Sequence, residues 1–216
     1  VLYSSLQPTD ICFAKAIDTL NNGGIVAYPT ETSYGLAVDT ENDQAINSLY
    51  ALKKRDKAKA LSLLIPDLKY LSKLVSSCPA PYETLIQSFW PGPLTLIFPA
   101  LDAVSKKLTA KDKTIAIRIS SHPVAEKLCV SFGRPITATS ANISGEQAIV
   151  TATEIKLLLG DEIACLLDGG KSPGGKGSTI IRCMNSQKKC QIIRDGAISR
   201  EAISNVLPAD YTICND

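Results

Sequence analysis

The chain has 216 residues, 45% hydrophobic and 20% charged, a composition that excludes a disordered chain and is long enough to bury a core without staples. Lys and Arg number 23 against 21 Asp and Glu, so the net charge of +2 does not mark a nucleic-acid binder, and any basic surface must be local. No apolar run approaches the roughly 20 residues of a membrane span, and Val1 to Asp10 lacks the basic-then-apolar pattern of a signal peptide.

Asp10 is predicted to cap a helix carrying Ala14, Ile17 and Leu20 at helical spacing, with Gly23-Gly24 as its stop. Ile25 to Tyr28 follows as a short strand, broken by Pro29. Asp43 to Lys54 is a helix, Leu61 to Ile65 an apolar strand closed by Pro66, and Asp67 to Val75 a helix. Another helix starts after Pro81. Leu94 to Phe98 and the β-branched run Thr114 to Ile119 are strands. His122-Pro123 suits the start of a helix over Val124 to Phe132. Thr151 and Glu154 have capping-box spacing before Ile155 to Leu159. Ile163 to Leu167, Ser178 to Arg182 and Gln191 to Arg194 are strands, and Ser199 caps a last helix to Leu207. Helices and strands alternate, yet some strands lie too close together for a helical crossover. The fold class is therefore α/β with a mixed parallel and antiparallel sheet, and residues 1–216 read as one domain.

The cysteines at 12, 78, 129, 165, 183, 190 and 214 include no Cys-x-x-Cys pair. They read as free cysteines of a reducing cytosol, most of them small buried hydrophobes, which places the protein in the cytoplasm. With one histidine and no Gly-x-Ser-x-Gly elbow, chemistry here rests on Lys, Arg, hydroxyls and backbone amides.

Four segments break the scaffold pattern. Tyr28 to Gly35 is a hydroxyl-rich turn at a strand end, where open α/β sheets carry sites. Lys53 to Lys59 has five basic residues in seven; it is either a solvated helix end or a polyphosphate clamp. Pro135 to Gly145 runs from an apolar strand into hydroxyls and an amide. Asp168 to Thr179 is nearly a phosphate-binding loop, but Gly177 stands where Ser or Thr is needed and a strand follows in place of a helix. It reads as either a flexible surface loop or a mobile glycine-rich cover over a ligand.

In order, Tyr-Pro-Thr-Glu-Thr, Lys-x-Arg-x-x-x-Lys-x-Leu, Trp90 to Thr95, Ile115 to Arg118 with His122-Pro123, Thr-Ser-Ala-Asn-x-Ser-Gly and Ser-Thr-Ile-Ile resemble the YrdC-type threonylcarbamoyl-AMP synthases, from about Ala14 to Gly196. The resemblance implies a twisted mixed sheet flanked by helices, with a concave, positively lined groove. It implies an enzyme that joins L-threonine, bicarbonate and ATP into threonylcarbamoyl-adenylate and pyrophosphate, for transfer by a partner complex to the adenosine beside a tRNA anticodon. Carried over by position, Thr32, Arg118, Ala138 and Ser178 would hold threonine. Arg55, Lys59, Thr114, Ser140 and Arg194 would contact ATP, with Asn142 ordering the Ser140 loop and Lys53 meeting phosphate or carbonate. Magnesium would bridge the phosphates without dedicated protein ligands. Ala60 replaces the proline common before the motif's leucine. Only Ala197 to Asp216 stand where longer relatives carry a further domain, so the resemblance is to the short form. A rival reading is a non-catalytic RNA-binding module of the same fold, holding double-stranded RNA or tRNA on the basic cluster.

Overall fold

The structure, a computed structural model, describes Leu2–Tyr3 and residues 8–214; most of the N-terminal stretch read for a signal peptide, and the last two residues, lie outside the described residues. The elements are β1 (Leu2–Tyr3), α1 (Asp10–Asn21), β2 (Val26–Tyr28), β3 (Gly35–Ala37), α2 (Asp43–Leu52), β4 (Ser62–Leu64), α3 (Leu71–Leu74), α4 (Tyr82–Phe89), β5 (Leu94–Pro99), β6 (Thr114–Arg118), α5 (Pro123–Phe132), β7 (Ile136–Thr137), β8 (Thr139–Ser140), α6 (Ala152–Leu159), β9 (Cys165–Leu167), β10 (Thr179–Met184), β11 (Lys189–Arg194), α7 (Arg200–Val206) and β12 (Thr212–Cys214).

Local chemistry explains most boundaries. Asn42 Oδ1 accepts the Gln44 and Ala45 N–H groups and opens α2. His122 Nδ1 accepts the Val124 N–H ahead of α5, with Pro123 in the first turn. Thr151 and Glu154 form the full capping box of α6, and Ser199 caps α7. Two boundaries differ from expectation. Asp10 is the first residue of α1, with Thr9 in the cap position. The helix expected over Asp67 to Val75 is a 3₁₀ turn, Leu68–Tyr70, followed by the single turn α3, and Leu68 stays half exposed.

The mixed strands form two sheets, ordered β1-β9-β2-β3-β8 and β12-β11-β10-β5-β6-β4-β7, each with parallel and antiparallel pairs. Strand alternation sorts their side chains. In the smaller sheet Val26 and Tyr28 face a core with Phe13, Leu20 and Leu128, from α1 and α5, while Ala27 and Leu36 face the larger core with Ile46, Leu63 and Phe98.

One short segment links the sheets. β7 pairs with β4 in the seven-stranded sheet, and two residues later β8 pairs with β3 in the five-stranded one. Thr137, fully buried, ties the joint: its hydroxyl donates to the Leu36 carbonyl at 2.9 Å and accepts the Val38 N–H at 3.0 Å. Its carbonyl accepts the buried Tyr28 hydroxyl at 3.0 Å.

One sequence reading is corrected. Cys183 and Cys190, expected free, are joined in a disulfide. They face each other directly across the β10–β11 hairpin. Cys12, Cys129 and Cys165 are free and buried, while Cys78 is exposed. No helix among the described residues is long and apolar enough to cross a membrane.

Thr137→Val preserves shape but strands two buried backbone groups. It should lower stability by about 1–3 kcal/mol, and the midpoint by roughly 2–4 °C per kcal/mol, in denaturant and thermal unfolding. An unchanged midpoint would mean the joint does not depend on this hydroxyl.

Candidate functional site

A cavity of about 380 Å³ opens between the two sheets. Its wall on the seven-stranded sheet follows from alternation. Ile115 and Ile117 of β6 turn into the core, so Thr114, Ala116 and Arg118 face the cavity. Ser62 and Ile97 pair with Ala116 on either side and face the same way, as does Ile180 on β10. The other wall is the turn after β2, with Thr30 and Thr32, and the joint itself, with Ala138, Thr139 and Ser140. The first wall thus mixes apolar side chains with Ser62, Thr114 and Arg118, and the second is rich in hydroxyls.

Three guanidinium groups line this space: Arg55, Arg118 and Arg194. Among the described residues, the one lining carboxylate is Glu146. Arg194 Nε and Nη2 donate to the Ser178 carbonyl at 3.0 and 2.8 Å, and Nη2 also donates to Ser178 Oγ at 2.9 Å. Gly177 lies against this guanidinium, which a Cβ would approach to 3.2 Å. Burial, then the Arg118 and Arg55 charges, pull Arg194 below the usual arginine range. Arg55 donates to the carbonyls of Lys59 and Ala60 at 3.0 and 2.8 Å, folding its own loop, and burial lowers its pKa too. Arg118 Nη1 lies 2.7 Å from Glu31 Oε1. Clustered, half-desolvated cations of this kind form a site for an anion.

Of the residues proposed from sequence, Thr32, Arg55, Thr114, Arg118, Ala138, Ser140, Asn142, Ser178 and Arg194 all line this one cavity, and Lys53 and Lys59 do not. Lys59 is exposed on the outer loop. Lys53 is buried behind the wall, where its Nζ donates to the carbonyls of Ser140 at 2.5 Å and Asn142 at 2.7 Å. Two of its three N–H donors are thus engaged by backbone carbonyls. It acts as a strut for the Ser140–Asn142 loop, which Ser140 Oγ closes by donating to Asn142 Oδ1 at 2.5 Å. Burial, with a smaller contribution from Arg55, pulls the Lys53 ammonium down to about 8.

The glycine-rich segment expected as a mobile cover is pinned along the rim. The Gly174 N–H donates to the Thr32 carbonyl at 2.8 Å, the Ser172 N–H to the Val150 carbonyl at 2.9 Å, and the Tyr34 hydroxyl to the Gly170 carbonyl at 2.8 Å. It runs into β10, as the rejection of a phosphate-binding loop required. Sequence reasoning missed Thr30, Thr139 and the apolar trio Ile97, Ile180 and Ile193. The signal for Thr30 was its place in the Tyr-Pro-Thr-Glu-Thr motif; the isoleucines read as ordinary strand residues until the register was known. Among the described residues there is no group of three or more His, Cys, Asp or Glu side chains placed to hold a metal ion.

Two sheets enclosing an arginine-lined cavity make a seam whose charge suits an anion. The chain belongs to the Sua5/YciO/YrdC family, described as telomere recombination, whose profile matches residues 18–196. It is 38% identical over 184 residues to a threonylcarbamoyl-AMP synthase of Vibrio cholerae, covering 84% of this chain and 96% of the relative. It is 37% identical to one of Bacillus subtilis, covering 94% of this chain but 58% of the relative. The fold superposes on P. abyssi Sua5 complexed with L-threonine with a TM-score of 0.87 at 32% identity, over 94% of this chain and 58% of that one. E. coli YciO shares the fold, with a TM-score of 0.81 at 24% identity over 91% of this chain and 95% of that one.

Lys53→Met keeps the apolar stem and frees the two carbonyls. It should weaken ATP binding on the order of tenfold, through the Ser140–Asn142 loop. The protonated strut is the competent form, so wild-type ATP affinity should fall as pH rises through about 8, and the Met variant should lack that inflection. Parallel inflections in both proteins, by calorimetry across pH 7 to 10, would remove Lys53 from this role.

Proposed function

We propose that this cavity binds L-threonine and ATP side by side and forms threonylcarbamoyl-adenylate. The observation that carries the reading is the convergence of Arg55, Arg118 and Arg194 on one space whose opposite wall is hydroxyl-rich. A guanidinium fork suits a carboxylate or a phosphate, and the substrates offer both.

The chemistry needs no protein nucleophile. The threonine nitrogen bonds to the carbon of bicarbonate and water is lost, leaving an N-carboxylate. A carboxylate oxygen then bonds to the α-phosphorus of ATP, and the bond to the β-phosphate oxygen breaks, so pyrophosphate leaves with the electron pair. The protein's task is to hold two anions in line and offset their repulsion. Arg118 takes the threonine carboxylate, with Thr32, Ala138 and Ser178 around the rest of the amino acid. Arg55 and Arg194 face the phosphates, and Thr114, Ser140 and Asn142 complete the nucleotide side. Lys59, outside the lining, supplies charge at the mouth through its flexible stem. The magnesium expected with ATP would be carried by the nucleotide's phosphates.

The product's threonylcarbamoyl group would pass to a transferase complex that modifies tRNA beside the anticodon, with tRNA itself a candidate partner. The rival RNA-binding module gains nothing from the hydroxyl-lined wall, since an RNA backbone needs exposed cations rather than buried ones.

Pyrophosphate release should require L-threonine and bicarbonate together; equal ATP turnover without threonine would contradict the synthase reading. Arg55→Ala should lower kcat/KM roughly tenfold to a hundredfold, as expected for loss of a charge-assisted contact of about 1.5–3 kcal/mol. Lys59→Ala should cost less, and the reverse order would place the phosphates at the outer loop.

A further inference from the structure

Glu31 sits in the Tyr-Pro-Thr-Glu-Thr motif, yet it does not line the cavity, while its neighbours Thr30 and Thr32 do. The turn presents two hydroxyls to the ligand space and sends the carboxylate behind the wall. There Oε1 is 2.7 Å from Arg118 Nη1, and the two side chains keep 13% and 7% of their exposure. The second oxygen, Oε2, accepts the Ser120 hydroxyl. Ser120 Oγ in turn accepts the His122 N–H at 3.2 Å, at the residue that caps α5. Arg118 stands on the seven-stranded sheet and Glu31 on a turn of the five-stranded one. Glu31 therefore bridges the seam, its backbone on one side and both partners of its carboxylate on the other.

We infer that Glu31 is a positioning residue that aims the Arg118 guanidinium at the ligand carboxylate. The inference rests on the proposed reading of Arg118 as the threonine-carboxylate partner. A guanidinium carries five N–H donors in a fixed plane. Glu31 engages Nη1 from behind, and since Arg118 also lines the cavity, the rest of the fork is left for a ligand. The pair also answers a burial problem. A guanidinium this enclosed needs a counter-charge when no substrate is bound, and Glu31 supplies it without blocking the cavity.

Two opposite effects follow from removing the charge, and their signs differ. If Glu31 acted only as a competing anion, Glu31→Gln would tighten threonine binding. If it positions Arg118, the freed side chain loses its aim and binding weakens. With Glu31 behind the wall and outside the ligand space, orientation is the larger effect.

The test is calorimetry of the full chain with L-threonine and, separately, with ATP. Glu31→Gln should weaken threonine binding tenfold or more and leave ATP within twofold; in turnover, the threonine KM should rise far more than kcat falls. Ser120→Ala, which releases one of the two grips, should give a smaller loss of the same kind. In an Arg118→Lys background, Glu31→Gln should have little further effect, because there is no fork left to aim. Threonine binding that is unchanged or tighter in Glu31→Gln, or equal losses for threonine and ATP, would overturn the assignment. A wild-type protein that binds no threonine would overturn both it and the functional reading beneath it.

Discussion

The backbone passing from one sheet to the other at Ile136–Ser140 is the constraint on which the rest of the structure depends. A strand that paired throughout with one partner would leave the two sheets independent. By pairing first with β4 and then with β3, this segment fixes their relative position within two residues. A polar residue is needed there, because the pairing is interrupted and backbone groups must still be satisfied out of reach of water. Thr137 satisfies them, with Tyr28 as the third partner. The pocket is the gap this joint holds open, and Ala138, Thr139 and Ser140 are both joint and lining.

That origin explains how the pocket tolerates three guanidinium groups. None is left bare. Arg194 and Arg55 spend part of their donor capacity on backbone carbonyls, and Arg118 is paired with Glu31. Each is thereby oriented and still keeps charge available for a ligand. Lys53 repeats the theme one layer back, where a buried ammonium holds the carbonyls of the loop carrying Ser140 and Asn142. Half-satisfied cations at a seam are costly to assemble, and a bound anion offsets much of that cost.

Much of this was legible from residues alone, for definable reasons. Caps such as Thr151–Glu154, and Pro123 at a helix start, act within four residues, so local spacing reveals them. The ordered motifs revealed the family, and positions carried over from it gave nine of the lining residues, Thr114, Ala138 and Arg194 from outside the motifs. What local sequence did not carry was non-local. That the mixed strands divide into two sheets depends on where β7 stops pairing with β4, which no local pattern encodes. Lys53 looked like its basic neighbours, and only the path of residues 140–142 shows that its ammonium is already engaged. The Cys183–Cys190 bond depends on hairpin register. Glu31 stood within a motif read for its threonines, and its role emerged only once Arg118 was placed beside it.

The central claim is that threonine and ATP share the seam between the sheets. A crystal structure of the protein with L-threonine and a non-hydrolysable ATP analogue tests it most directly. The account predicts both ligands in the one cavity, the amino-acid carboxylate on Arg118 and the phosphates beside Arg55 and Arg194. Nucleotide bound instead in the separate cleft beside Tyr70 and Arg134, or threonine absent from the seam, would contradict it.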